Sequence, residues 1–190
     1  MSLVELIAQA DERGLAVSGL ACLDRCVPLL GGDDEVLRPL WAGLAEDAAA
    51  ADWAQRLERT RGELDAAAGA EDEAVALAHR MLAAAPARRS AAGLREWADA
   101  CSLAALRIHR LLDGTAAAAD DDGTDLDDAR RGGRTEGVSP LLAAELRRQI
   151  TVLELLSAHG PAGLRGALEV STEGRRVLRA AVSRRSRRGG

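Results

Sequence analysis

The chain has 190 residues, 25 of them Arg and none Lys, and 30 acidic residues leave a formal net charge of −5. Alanine (40) and leucine (29) together exceed a third of it, with no Asn, Phe or Tyr, so Trp41, Trp53 and Trp97 are its only aromatics besides three histidines. Without lysine there is no Walker-type phosphate loop and no Schiff-base amine, and without asparagine no N-linked glycan. The length suits one domain able to bury its own core. Abundant Ala, Arg and Gly beside absent Lys fit a coding bias rather than a functional choice of Arg.

Ser2 is placed to cap a helix presenting Leu3, Leu6, Ile7 and Ala10, which Gly14 ends. A second helix carries Val17, Leu20, Leu23, Val27 and Leu30 at spacings of three and four, closed by Pro28 and Gly31-Gly32. Asp33 or Asp34 then caps a third, with Val36, Leu37, Leu40, Trp41 and Leu44, and Pro39 about a turn in predicts an irregular start or a kink. Residues 52–67 repeat the pattern with Trp53, Leu57 and Leu64, and Gly69 breaks it. Glu71, Asp72 and Glu73 form an acidic first turn, favoured by the helix dipole, ahead of Val75, Ala78, Met81 and Leu82; Pro86 stops that helix.

The strongest periodicity runs from Ser90 to Leu112, through Leu94, Trp97, Cys101, Ala104, Ala105, Ile108, Leu111 and Leu112. Residues 114–138 hold seven acids, three Arg and five Gly with almost nothing bulky, so 115–137 reads as a flexible solvated loop. Ser139-Pro140 restarts a helix through Leu142, Leu146, Ile150, Leu153 and Leu156. Gly160-Pro161 turns the chain, a short helix around Leu164 and Leu168 follows, and Ser171 or Thr172 caps a last one. No segment alternates with period two. The expected fold is all-α, a single bundle of seven to nine helices: a helical domain over 1–173 with the 115–137 loop inside it, then the last helix and an Arg-rich tail over 174–190.

Two segments carry a resemblance. Ala21, Cys22, Asp24, Arg25 and Pro28, followed by Trp41, resemble the start of the YjaG-like bacterial proteins. Asp99, Ala100, Cys101, His109, Leu112 and Gly114 are similar to a second helix of that family. The likeness spans about 45 residues, and the chain departs from it by lacking tyrosine and phenylalanine and by having Ala42 where the family has an acid after its tryptophan. The family has no assigned activity. The resemblance therefore implies an all-α fold and supplies no catalytic residue.

Cys22 and Cys26 lie one helical turn apart, which would suit half of a zinc site or a thiol switch. Buried apolar filling is the reading preferred for them and for Cys101. His109 flanks an apolar stripe one turn before Asp113, which predicts a local His–Asp contact. It lies roughly 10 Å along the axis from Ser102, too far to activate a nucleophile. Asp120, Asp122, Gly123 and Thr124 spell the D-x-D-G-T of haloacid-dehalogenase-type phosphatases, yet no strand leads in and no lysine follows. An EF-hand aligned on Gly123 would need acids at Ala118 and Ala129. Both matches are accidents of composition. Asp24 and Arg25 in an apolar helix predict an architectural ion pair, Arg25 with Asp99. Trp41 and Trp97 are expected to meet in the core, with Trp53 partly wet.

After Glu173 come seven Arg and no acid, which leaves 18 Arg against 30 acids in the preceding 173 residues. Such a tail suits phosphates, but no aromatic stacking platforms accompany it and the acidic body opposes nucleic acid. An odd cysteine count, an N-terminal stretch interrupted by Glu5 and charge-free runs of about ten residues point to a reducing, cytoplasmic protein without a membrane span. The leading expectation is a non-enzymatic protein-interaction or regulatory module, an adaptor or immunity-type protein, needing no cofactor. Its partner would be another protein or a second copy, with Asp24, Arg25, Trp41, Trp97, Asp99 and His109 as structural or contact candidates. A nucleic-acid-associated protein using the Arg tail is the alternative, and a metal or thiol-switch protein through Cys22 and Cys26 the third.

Overall fold

The computed structural model describes residues 1–46, 50–64, 68–69, 71–114, 124–132 and 138–189. Among these residues the chain forms nine α-helices and no strand. They are α1 (Leu3–Gln9), α2 (Glu12–Arg25), α3 (Arg38–Ala45), α4 (Ala50–Gly62), α5 (Glu73–Ala83), α6 (Ala91–Leu112), α7 (Thr124–Gly132), α8 (Pro140–His159) and α9 (Leu164–Arg188), with 3-10 turns at Val27–Leu29 and Gly160–Gly163. No described helix is long and apolar enough to cross a membrane.

Side-chain oxygens set most helix starts. Ser2 Oγ accepts from the Glu5 amide at 3.3 Å while Glu5 Oε2 accepts from the Ser2 amide at 2.7 Å, a reciprocal capping box. Ser90 caps α6 at Gly93, and Ser139 caps α8 at Leu142 with Pro140 in the first turn. Asp11 caps α2 by accepting from Gly14, so Gly14 lies inside that helix instead of ending the one before. Pro39 falls in the first turn of α3, where its missing N–H has no intrahelical role. The start is irregular as expected: residues 34–37 form a turn, and Leu37 rather than Asp33 or Asp34 stands at the cap with no side-chain bond. α2 stops at Arg25 because Pro28 cannot continue it; the chain tightens into the 3-10 turn instead.

α2 is the central element. Every residue from Gly14 to Arg25 is buried, as expected of a helix enclosed on all sides, and α6, α8 and α9 pack around it. Gly19 permits the close approach of α6, because a β-carbon there would stand 2.6 Å from Cε3 of Trp97.

Two expectations about the C-terminal half are corrected. The stretch 115–137 is not loop throughout: Thr124–Gly132 is helical, with Leu126 and Arg130 buried. The remainder of it, 115–123 and 133–137, lies outside the described residues. The last helix starts at Leu164 and runs unbroken for 25 residues. Ser171 and Thr172 turn their hydroxyls back to the carbonyls of Ala167 and Leu168, at 2.9 Å each, rather than forward as caps. Position 173/174 therefore falls inside a helix, with Ser171, Gly174, Arg175, Leu178 and Ala181 all buried.

Candidate functional site

The six candidate residues fall into three places. Arg25, His109 and Asp99 belong to a polar ladder that crosses the bundle interior. Arg25 does not reach Asp99. Its Nε and Nη2 donate to the two carboxylate oxygens of Glu145 on α8, at 2.8 and 2.7 Å, with both side chains fully buried. Glu145 Oε1 also accepts from Gln149 Nε2 at 2.9 Å, and Ser102 donates to Gln149 Oε1 at 2.6 Å. Ser102 Oγ in turn accepts from Arg130 Nε at 3.0 Å, and the same guanidinium pairs with Asp99 and, at 3.2 Å, with Asp127. The physical reason is position: Glu145 sits within the core facing α2, whereas Asp99 is half-exposed on the side where α7 lies.

Electrostatics in the ladder follow from burial. Burial alone would raise the Glu145 pKa, but the Arg25 guanidinium, His109 and the Arg25 and Gln149 hydrogen bonds outweigh it and bring it to about 2. His109 is pushed below the usual histidine range, foremost by burial, with Glu145 opposing. Its Nδ1 lies 2.7 Å from the carbonyl of Ala105, which can only accept, so Nδ1 carries the proton. Nε2 faces Glu145 Oε2 at 3.4 Å without a hydrogen bond. The expected contact with Asp113 gives way to these two. The three thiols are buried and unpaired. Burial pushes Cys22 up to about 12 and raises Cys26 and Cys101 well above an ordinary thiol, the state of inert cysteines. Among the described residues no three His, Cys, Asp or Glu side chains are grouped to hold a metal ion.

Asp24 and Trp41 occupy the second place, a surface cleft of about 400 Å³ between α2, α3 and α9 that Glu35, Arg38, Leu168 and Arg175 also line. Arg175 Nη1 reaches Asp24 Oδ1 at 3.4 Å and the Asp34 carbonyl, and Arg179 pairs with the Asp34 carboxylate. Asp24 is raised to about 6, mainly by burial, with Arg175, Arg25 and the adjacent Trp41 indole N–H pulling the other way. That indole nitrogen and Asp24 Oδ2 are buried neighbours that do not reach hydrogen-bond geometry. Leu168, at 40% exposure, forms an apolar rim.

Trp97 stands in the third place, on Gly19 of α2, donating its indole N–H to the carbonyl of Met81 at 2.9 Å. Gly19 and Asp24 are five residues apart, about 140° around the helix, so Trp41 and Trp97 lie against different faces of α2 and do not share one centre. Trp53 is the deepest of the three, 1% exposed against 7% for Trp41. Its N–H donates to the Pro86 carbonyl at 2.9 Å, and Arg89 stacks over its ring.

Sequence reasoning missed Ser102, Arg130, Glu145, Gln149 and Arg175 as parts of these sites. A signal existed for two of them. Glu145 and Gln149 interrupt the apolar stripe of α8 at i and i+4, between Leu142, Leu146 and Leu153, where a solvated polar residue has no place. Comparison of the chain with models of known protein families, with curated proteins and with solved structures finds no match.

Proposed function

We propose that the chain is a non-enzymatic helical module that binds a partner protein through the Trp41 cleft. The observation that carries this reading is the composition of that cleft: a tryptophan, two arginines and Leu168, one of two large apolar side chains exposed among the described residues, gathered around about 400 Å³. Tryptophan and arginine dominate binding hot spots. The groups that could suggest chemistry are committed to architecture, with His109 and the thiols buried and Arg25 locked to Glu145. Three unpaired thiols suit a reducing, cytoplasmic setting. The likeness to YjaG-like proteins is compatible with this reading, as the matching residues up to Leu112 lie on α2, the 3-10 turn after it, α3 and α6, and α3 and α6 both pack on α2. A photo-crosslinking residue placed at Leu168 in the source cell should trap one discrete protein, and Arg38→Glu in the same chain should abolish the product. Equal labelling from Arg59, exposed on α4, would remove the reading.

A second reading rests on α9. Arg175, Arg179 and Arg185 are held by Asp24, Asp34 and Asp72, whereas Arg176, Arg184, Arg187 and Arg188 face solvent, and residues 183–189 are all exposed. An exposed arginine helix end suits the phosphates of a nucleic acid. Retention on heparin that falls sharply when 183–190 is deleted would favour it over the protein-partner reading.

A further inference from the structure

α7 is fastened to the bundle by a small set of side chains. Leu126, Ala129 and Arg130 face inward at i, i+3 and i+4, while Asp125, Asp128, Arg131 and Gly132 are exposed. The helix lies on α1 and α6. Leu126 enters the main core, and the Arg130 guanidinium ends on Ser102 and Asp99, three residues apart on α6.

The receiving side is complete without α7. Ser102 is already fixed by its bond to Gln149, Gln149 by Glu145, and Glu145 by Arg25, all from α2, α6 and α8. Arg130 adds itself to the end of a ladder that other helices build. The result is an apolar seat beside a preformed guanidinium slot, one helical turn apart. Arg fits the slot through Nε–H to the Ser102 hydroxyl and Nη–H to the Asp99 carboxylate, a fork that lysine cannot reproduce. Only Arg130 and its neighbour Asp127, at the end of the ladder, come from α7, so the bonds among α2, α6 and α8 do not depend on α7 keeping its seat. A helix of nine residues is marginal by itself in water. A longer, preformed helix with the same inward residues would lose less entropy on docking and can compete despite the tether that favours α7.

We propose that the α1–α6 groove is a second interaction surface, occupied internally by α7, whose external partner is a protein helix offering a leucine-sized residue and an arginine four positions later. The groove is separate from the Trp41 cleft, and neither proposal depends on the other.

The probe is a fluorescent, helix-stabilised peptide of about 20 residues carrying Leu, Ala and Arg at the spacing of 126, 129 and 130. It should bind the full chain with Leu126→Ala and Arg130→Ala at least about tenfold more tightly than the parent, since its seat is then vacant. Replacing the peptide arginine by lysine should lose about tenfold of that affinity or more, and so should adding Asp99→Asn to the chain. In the parent, saturating peptide should speed amide exchange in α7 while leaving α2 and α8 unchanged, a readout that does not rely on the double variant folding. Equal affinity for both chains, indifference to lysine, or unaltered α7 exchange at saturation would each overturn the proposal.

Discussion

Gly174 crosses α2 where the aliphatic stem of Arg25 lies against it. A β-carbon there would fall inside the van der Waals envelope of Arg25 Cδ and stand 3.0 Å from Arg148 Cδ. Arg25 cannot swing aside without cost, because its Nε and Nη2 are both bound to Glu145. Gly174→Ala should therefore cost about 1–3 kcal/mol by overpacking. Gly62, with nothing within 4 Å of its β-position, should respond in the opposite sense and gain about 0.4–1 kcal/mol as alanine. Urea melts of the two variants check the pair. The same buried ion pair sets a second test. Glu145→Leu alone leaves Arg25 charged and unpaired and should cost about 3–5 kcal/mol, whereas Arg25→Met with Glu145→Leu should recover most of that loss. A double variant no better than the single one would mean that the ladder supplies stability and not merely register.

Two titrating groups at this scale oppose one another with pH. His109 is depressed in the folded state by burial, so its contribution is present above the unfolded histidine pKa of about 6.5 and is lost as pH falls below it. Asp24 is raised to about 6, so its contribution is present at low pH and is lost as pH rises through 6, where the carboxylate ionises in a buried place. Between pH 7 and 5 the protonation of Asp24 thus offsets part of the destabilisation from His109. His109→Gln should flatten the acid side of the stability curve, and Asp24→Asn should steepen it. Thermal melts at pH 5, 6 and 7 read both slopes; an unchanged slope in Asp24→Asn would show that Arg175 holds Asp24 ionised throughout.

At the scale of elements, α4 and α5 are tied by side chains that bond to main-chain carbonyls. Arg61 donates to the carbonyls of Leu82, Ala83 and Ala85, which closes the end of α5, and Trp53 donates to Pro86 just beyond. Trp53→Ala should cost about 3–5 kcal/mol and exceed Trp41→Ala, since the latter opens onto a surface cleft. Denaturation of the two variants gives the order, and a reversed order would make Trp41 the structural ring. The elements differ in how far sequence revealed them. α6 and α8 were legible because a serine cap precedes a long apolar stripe in each. α7 was hidden by its own composition: acids, Arg and Gly read as solvated chain, and only contact with α1 and α6 buries its Leu126 and Arg130. α9 looked like two helices because Ser171 and Thr172 are good caps, and nothing in a one-dimensional pattern says which way a hydroxyl points. Asp24, Arg25 and Asp99 were legible as charges needing partners; the partners themselves, Arg175, Glu145 and Arg130, depend on which helices meet.

For the whole molecule, the uneven charge distribution is partly reconciled by folding. The arginine-rich end belongs to a 25-residue helix whose first two-thirds pack across α2 and α8 and whose Arg175, Arg179 and Arg185 meet Asp24, Asp34 and Asp72. Tail and body are therefore not separable at residue 173. Ending the chain there removes the buried Leu178 and Ala181, strips Asp24 of its Arg175 partner and takes Gly174 off Arg25. Loss of a buried leucine alone costs about 2–5 kcal/mol, and leaving a buried carboxylate unpaired adds to it. That sum rivals the total stability of a typical domain, about 5–15 kcal/mol. A chain ending at Glu173 should thus melt far below the parent or fail to fold, while one ending at Val182 keeps the packed part of α9 and should stay within about 1 kcal/mol, as expected for an exposed terminus. Circular dichroism melts of the two truncations test this directly. Near-parental stability of the shorter chain would mean that α9 rests on the bundle without contributing to it, and its burial of Arg25 and Asp24 would then have to be read as a docked, releasable arm.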